Sequence, residues 1–165
     1  YAGRNTPYTI LVSGRITFGD MITVVADKTI LGVGTTAVID GGGLQLGSTT
    51  RPGNNVIIRN LTFVNASDDS ISVTNAAHHV WIDHNDLSRG YDGLLDVKRA
   101  SDFVTISWNH FHDHSKTTLV GTRTRTPRTA ATCASPTTTT SSRAPRSATR
   151  ASGSATRCTS TTTTS

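Results

Sequence analysis

Hydrophobic positions return along this chain at a fixed interval. Val56, Val80 and Val104 stand 24 residues apart, as do Ile58, Ile82 and Ile106. Phe63, Leu87 and Phe111 keep the interval of 24, and so do Ile71, Leu95 and Leu119. Within Val56-Ile57-Ile58-Arg59, Val80-Trp81-Ile82-Asp83 and Val104-Thr105-Ile106-Ser107 the alternation is that of short strands with one buried face. Earlier strands are predicted at Thr9–Val12, Met21–Val25 and Lys28–Val33, with less regular spacing. No helical face recurs. Short strands returning in one direction at each repeat pair with the next repeat and form parallel sheets. The pattern therefore predicts an all-β chain folded as a right-handed parallel β-helix (a solenoid of about 24 residues per coil), with coils about 4.8 Å apart. A β-sandwich would not require the fixed interval. Asn85 and Asn109 also repeat at 24, as a stacked Asn ladder inside a turn would, while Asn60 misses that register by one.

The period sorts polar residues into columns. Subtracting 24 takes Lys116 to Asp92 and Asp92 to Asp68, with Asp69 next in sequence. Asp96 is flanked by Leu95 and Val97; if those point inward, Asp96 points outward. Asp68, Asp69, Asp92, Asp96 and Lys116 are thus expected to share one exposed patch. Carboxylates so close repel one another and call for a cation. Oxygen donors without His or Cys favour Ca²⁺ over zinc. Any single Asp is well explained by turn preference alone; the column and the neighbouring Lys116 favour the metal reading. His110, His112 and His114 alternate and could present a metal-binding face, against the plainer reading of turn and surface residues. Asp83 and His84 suggest a structural His–Asp bond. Gly41-Gly42-Gly43 reads as a turn, and no Ser-His-Asp set, phosphate loop or dinucleotide Gly pattern is present.

Composition divides the 165 residues in two. Residues 1–121 hold all 11 acidic residues, every one Asp, against 9 Lys plus Arg. Residues 122–165 hold 7 Arg and no acid, so the formal charge of +5 belongs to the tail. That tail carries 16 Thr and 8 Ser but no Val, Ile, Leu, Phe, Tyr, Trp or Met. It cannot bury enough apolar area to offset its chain entropy, and it is predicted to be unstructured. It also lacks aromatics for stacking on bases, which argues against nucleic acid as a partner. No 18-residue apolar run suggests a membrane span. Both cysteines, Cys133 and Cys158, lie in this tail. The chain begins at Tyr1 with no visible signal peptide, as a processed product or fragment would.

Four strings carry a resemblance. Asn55-Val56-Ile57-Ile58-Arg59-Asn60-Leu61, Val80-Trp81-Ile82-Asp83-His84, Asp92-Gly93-Leu94-Leu95-Asp96-Val97-Lys98 and His112-Asp113-His114-Ser115-Lys116-Thr117-Thr118-Leu119-Val120-Gly121 resemble the polysaccharide lyase family of pectate lyases. Ile30-Leu31-Gly32-Val33-Gly34 and Ile39-Asp40-Gly41-Gly42-Gly43 fit as well, so the likeness covers nearly all of residues 8–121. The resemblance implies a secreted, extracellular, monomeric parallel β-helix. It implies Ca²⁺-dependent β-elimination of polygalacturonate, with Asp69, Asp92 and Asp96 as calcium ligands and Asp68 as an additional candidate. Some members place a further acid two residues before the first ligand; that position here is Ser67. Lys116 falls on the family's Lys that contacts the substrate carboxylate. The family's base is an Arg in a string of the form R-x-P-x-x-R on a later coil, and no such string follows Gly121.

The resemblance ends at Gly121 in a way that suggests a shifted reading frame. One base lost near the codons of Gly121 and Thr122 would let residues 133–140 be read as LRVTYHHN, a family-like strand. The same shift permits an Arg string of the expected form near Ala148 to Gly153. The domain expectation is therefore an incomplete β-helix over 1–121 and a frameshifted Thr/Ser/Arg-rich tail over 122–165, with activity in doubt because the base is missing. Competing readings are a pectin lyase acting without Ca²⁺, a non-catalytic polygalacturonate-binding β-helix, and a hydrolase using paired carboxylates.

Overall fold

A computed structural model describes residues 1–121. The expectations for residues 122–165 (the shifted frame, the unstructured tail and the missing Arg) lie outside the described residues.

Fifteen short strands and no helix are found among the described residues. They stack into three parallel sheets of five strands each. The first sheet holds β1 (Tyr8–Val12), β4 (Lys28–Gly32), β7 (Val56–Arg59), β10 (His78–Asp83) and β13 (Asp102–Ser107). The second holds β2 (Arg15–Thr17), β5 (Val38–Asp40), β8 (Thr62–Val64), β11 (Asp86–Ser88) and β14 (His110–His112). The third holds β3 (Ile22–Val24), β6 (Leu44–Leu46), β9 (Ile71–Val73), β12 (Leu95–Val97) and β15 (Thr118–Val120). Each coil contributes one strand to each sheet, so the chain is a parallel β-solenoid of five coils. The expected strands near the N-terminus are present as β1, β3 and β4; β2, β5 and β6, of three residues each, add to them.

Register follows the hydrophobic columns. Val56 pairs with Val80 and Val80 with Val104; Phe63 pairs with Leu87 and Leu87 with Phe111. These side chains fill one continuous core with Ile39, Ile58, Ile71, Ile82, Leu95 and Val97. One column slips. Leu95 pairs with Thr118 and not with Leu119, and Leu119 lies beside Asp96, 54% exposed. The step from β12 to β15 is a residue short, so the sequence interval of Ile71, Leu95 and Leu119 does not carry through to the last coil.

The Asn ladder is present. Asn85 Oδ1 accepts the Leu61 N–H at 3.1 Å, and Asn109 Oδ1 accepts both the Asn85 N–H and its Nδ2–H at 2.9 Å. The two Nδ2 groups donate to Ile58 O and Ile82 O. Asn60 misses the column for a structural reason: it occupies the left-handed corner at φ 58°, in line with His84 at 51° and Trp108 at 51°. Two further corner columns, Asn55, His79 and Phe103 and then Asn65, Arg89 and Asp113, hold the same left-handed conformation. Asp83, only 2% exposed, accepts from Ser107 Oγ at 2.6 Å and pairs with Arg59 at 2.9 Å and with His84 at 2.7 Å.

Candidate functional site

The turns that lead into β9, β12 and β15 lie one above another. Asp92 N–H donates to Asp68 O at 3.3 Å, Ser70 N–H to Gly93 O at 3.2 Å, and Leu94 N–H to Lys116 O at 3.3 Å. These bonds bring the carboxylates together. Asp68, Asp69 and Asp92 each offer an oxygen within 4.8 Å of the others. Asp69 Oδ1 also accepts the Gly93 N–H at 3.1 Å. Lys116 Nζ lies 2.6 Å from Asp92 Oδ1, as the column requires. A cleft of ≈ 320 Å³ opens here, lined by Asp92, Gly93, Asp96, Lys116, Thr118 and Leu119.

The expected exposed patch is in fact two layers. Asp68 and Lys116 are exposed and the Asp92 side chain is half exposed, but Asp69 is 0% and Asp96 5% exposed. Asp96 does point away from the core, since Leu95 and Val97 are fully buried. It is covered because Lys98, two residues on and on the same face of the strand, reaches back over it. Lys98 Nζ lies 2.6 Å from Asp69 Oδ2 and 3.2 Å from Asp96 Oδ2. Lys98 escaped the 24-residue columns. The strand alternation that turned Asp96 outward places Lys98 outward as well, so period two held the missing signal.

Charge sets the protonation of these groups. Burial and the neighbouring Asp69 push the Asp96 carboxyl above its usual range, with Lys98 acting against them. Burial lowers the Lys98 ammonium, but its bond to Asp69 and the charges of Asp69 and Asp96 outweigh this and raise it. At the rim, the Lys116 hydrogen bond and charge hold the Asp92 carboxyl low, and Asp92 in turn raises Lys116.

The donor set fits a hard cation. Every side-chain ligand atom is a carboxylate oxygen, and the turn leaves room where a ligand would sit. A Cβ at position 93 would lie 2.9 Å from both Asp69 Oδ1 and Asp96 Oδ1. Glycine at 93 thus keeps open a cradle between two carboxylates, which in this structure are bridged by the Lys98 ammonium.

A family model described as pectate lyase matches residues 17–147. The chain belongs to the pectate lyase family. The match runs past Gly121, beyond the point at which the resemblance read from the residues ends. A pectate trisaccharide-lyase of Thermotoga maritima is 39% identical over 134 residues, covering 73% of this chain and 35% of the relative. Pectate lyase A of Dickeya chrysanthemi is 36% identical over 148 residues, covering 70% of this chain and 37% of its own. Among solved structures, a pectate lyase from Bacillus sp. N165 in complex with trigalacturonate superposes with a TM-score of 0.60 at 33% identity, covering 73% of this chain and 44% of that one. The chain spans about a third of the length of the curated relatives it matches.

Proposed function

We propose that this chain is a calcium-dependent pectate lyase acting on polygalacturonate by β-elimination. The convergence of Asp69 and Asp96 across Gly93, with Asp92 and Lys116 at the mouth of the same cleft, carries this reading. Asp69, Asp92 and Asp96 would hold the ion, with Asp68 as an additional oxygen donor. When bound there, calcium would supply positive charge against the uronate carboxylate, which acidifies the neighbouring C5 proton. Lys98 releases the two carboxylates it now bridges. Lys116, exposed and held among the described residues by Asp92, exchanges that partner for the substrate carboxylate and adds charge where the enolate-like anion develops. Without the family's Arg the C5 proton would pass to water, the C4–oxygen bond breaks, the departing oxygen takes up a proton, and a C4–C5 double bond remains. The family's Arg string has no counterpart in this sequence, so turnover by the chain as written is expected to be weak.

The reading extends to an extracellular protein, because the polymer lies in the plant cell wall, and to a monomer, the default for this fold. Neither nucleic acid nor a membrane has a part in it; no helix among the described residues is long and apolar enough to cross one. The test is the ultraviolet absorbance of unsaturated uronide on polygalacturonate, with calcium and with chelator. The expected result is slow, calcium-dependent formation of unsaturated ends that Lys116→Ala abolishes. Products without a double bond would point to hydrolysis, activity that survives chelation to a pectin lyase, and binding without any product to a non-catalytic module; each would overturn the proposal.

A further inference from the structure

The outer face of the second sheet holds three ligating side chains that the lyase chemistry does not use. β14 turns Phe111 into the core, which leaves His110 and His112 together on the outer face. β11 places Asp86 directly beside His110. Asp86 Oδ2 lies 2.8 Å from His110 Nδ1, and its Oδ1 lies 3.0 Å from His112 Nε2. The three donor atoms fall within 4.8 Å of one another, and the two imidazoles stack at 4.6 Å. The third member of the alternating trio goes elsewhere: His114 Nε2 lies 2.8 Å from Asp92 O. Asp86, and not His114, completes the set.

A second observation concerns the other ring nitrogen. His112 Nδ1 lies 3.1 Å from Asp113 Oδ2, so both nitrogens of this imidazole face carboxylate oxygens. A neutral imidazole has one N–H to give. With that hydrogen on Nδ1 and donated to Asp113, the Nε2 lone pair meets a lone pair of Asp86. A proton between them removes the repulsion in the ion-free chain, and a metal cation in its place would be held by both lone pairs. A carboxylate on the far nitrogen of a ligating His is also the usual device that fixes its tautomer and aims it at a metal. All three side chains are reachable, at 45% exposure for His110, 39% for Asp86 and 26% for His112.

We propose that Asp86, His110 and His112 form a binding site for a divalent transition-metal ion of the zinc class, clamping the fourth coil to the fifth. Two imidazoles and one carboxylate suit a borderline ion and leave a fourth position for water, whereas calcium prefers oxygen donors alone. Asp113 is a positioning residue. The site is separate from the acidic cleft, which lies on the third sheet and its turns.

The experiment is calorimetric titration of the full chain with ZnCl₂, on a Cys133→Ser/Cys158→Ser background so that no thiol contributes. Cobalt(II) serves as a spectroscopic reporter of coordination. One equivalent of zinc is expected to bind, with intense visible cobalt bands of low coordination number. Both are expected to vanish in His110→Ala/His112→Ala and to persist in Asp69→Asn/Asp92→Asn. Should the double His variant fail to fold, Asp113→Asn tests the same site, with affinity falling about 10- to 100-fold. No stoichiometric binding by the folded chain, equal binding in the His and Asp113 variants, or loss only in the acidic-cleft variant would each overturn the proposal.

Discussion

Two polar columns run along this solenoid, and they solve the same problem differently. In the turn after the first sheet, Asn85 and Asn109 stack at the 24-residue interval and satisfy one another and the backbone. In the turns before the third sheet, Asp68 and Asp92 stack with Lys116 at the same interval, with Asp69 and Asp96 behind them. An amide carries both donor and acceptor, so identical amides can ladder without help. A carboxylate only accepts, so a cluster of them stays charged and mutually repelled until a cation arrives. Repetition alone therefore builds a permanent strut in one turn and a site that needs a cation in the other.

The sharpest way to separate the two is to remove the cation that the chain itself supplies. Lys98→Met leaves buried Asp69 and Asp96 facing each other without a cationic partner. Breaking a buried pair in this manner costs about 3 kcal/mol. Urea unfolding in calcium-free buffer is expected to show a loss of that size, and added calcium is expected to restore most of it. A deficit that calcium leaves untouched would mean that the two carboxylates do not hold the ion.

Asn85→Ala is the matching cut in the strut. It leaves the Leu61 N–H, the Ile58 carbonyl and one face of Asn109 unsatisfied in the interior. The expected loss is about 2 kcal/mol, at the level of a buried group deprived of its partner. Thermal unfolding with and without calcium is expected to give the same deficit in both buffers. Recovery by calcium here would show that the two columns are coupled through the stacked coils, and the contrast would fail.

How much of this was legible in the sequence follows from the same physics. Wherever the coil length stays at 24, side-chain columns are set by arithmetic, and Val56–Val80–Val104, Asn85–Asn109 and Asp92–Lys116 pair as read. The arithmetic fails where a turn gains or loses a residue. Lys28 pairs with Val56 across 28 positions and Tyr8 with Lys28 across 20, so the first coils show no period. The same loss of one residue before β15 moves Leu119 from the core to the surface beside Asp96. Burial of the acids was hidden for another reason. It depends on the reach of a Lys98 side chain along its own strand, which no interval between coils encodes. The pairing of Asp86 with two histidines combines both rules, one step across the sheet and one alternation along the strand.

The mildest test uses pH. Asp83 belongs to the structural side of the comparison, since its partners Arg59, Ser107 and His84 are all supplied by the chain. Burial pushes its carboxyl up, yet the hydrogen bonds from Ser107 and His84, with the charges of His84 and Arg59, bring it below the ordinary value of 3.8. A folded-state value below the unfolded one means that the unfolded chain takes up the proton first. The Asp83 contribution is then fully present above the unfolded value and is lost as pH falls through the folded one. Below about pH 4 this contribution is expected to decline. Asp83→Asn removes the titrating group, so the difference in unfolding free energy between the parent chain and this variant isolates it from the other ten aspartates. A difference that shrinks on acidification is the expected result. A difference that grows would mean that protonated Asp83 is the form the fold prefers, and that burial outweighs its three partners.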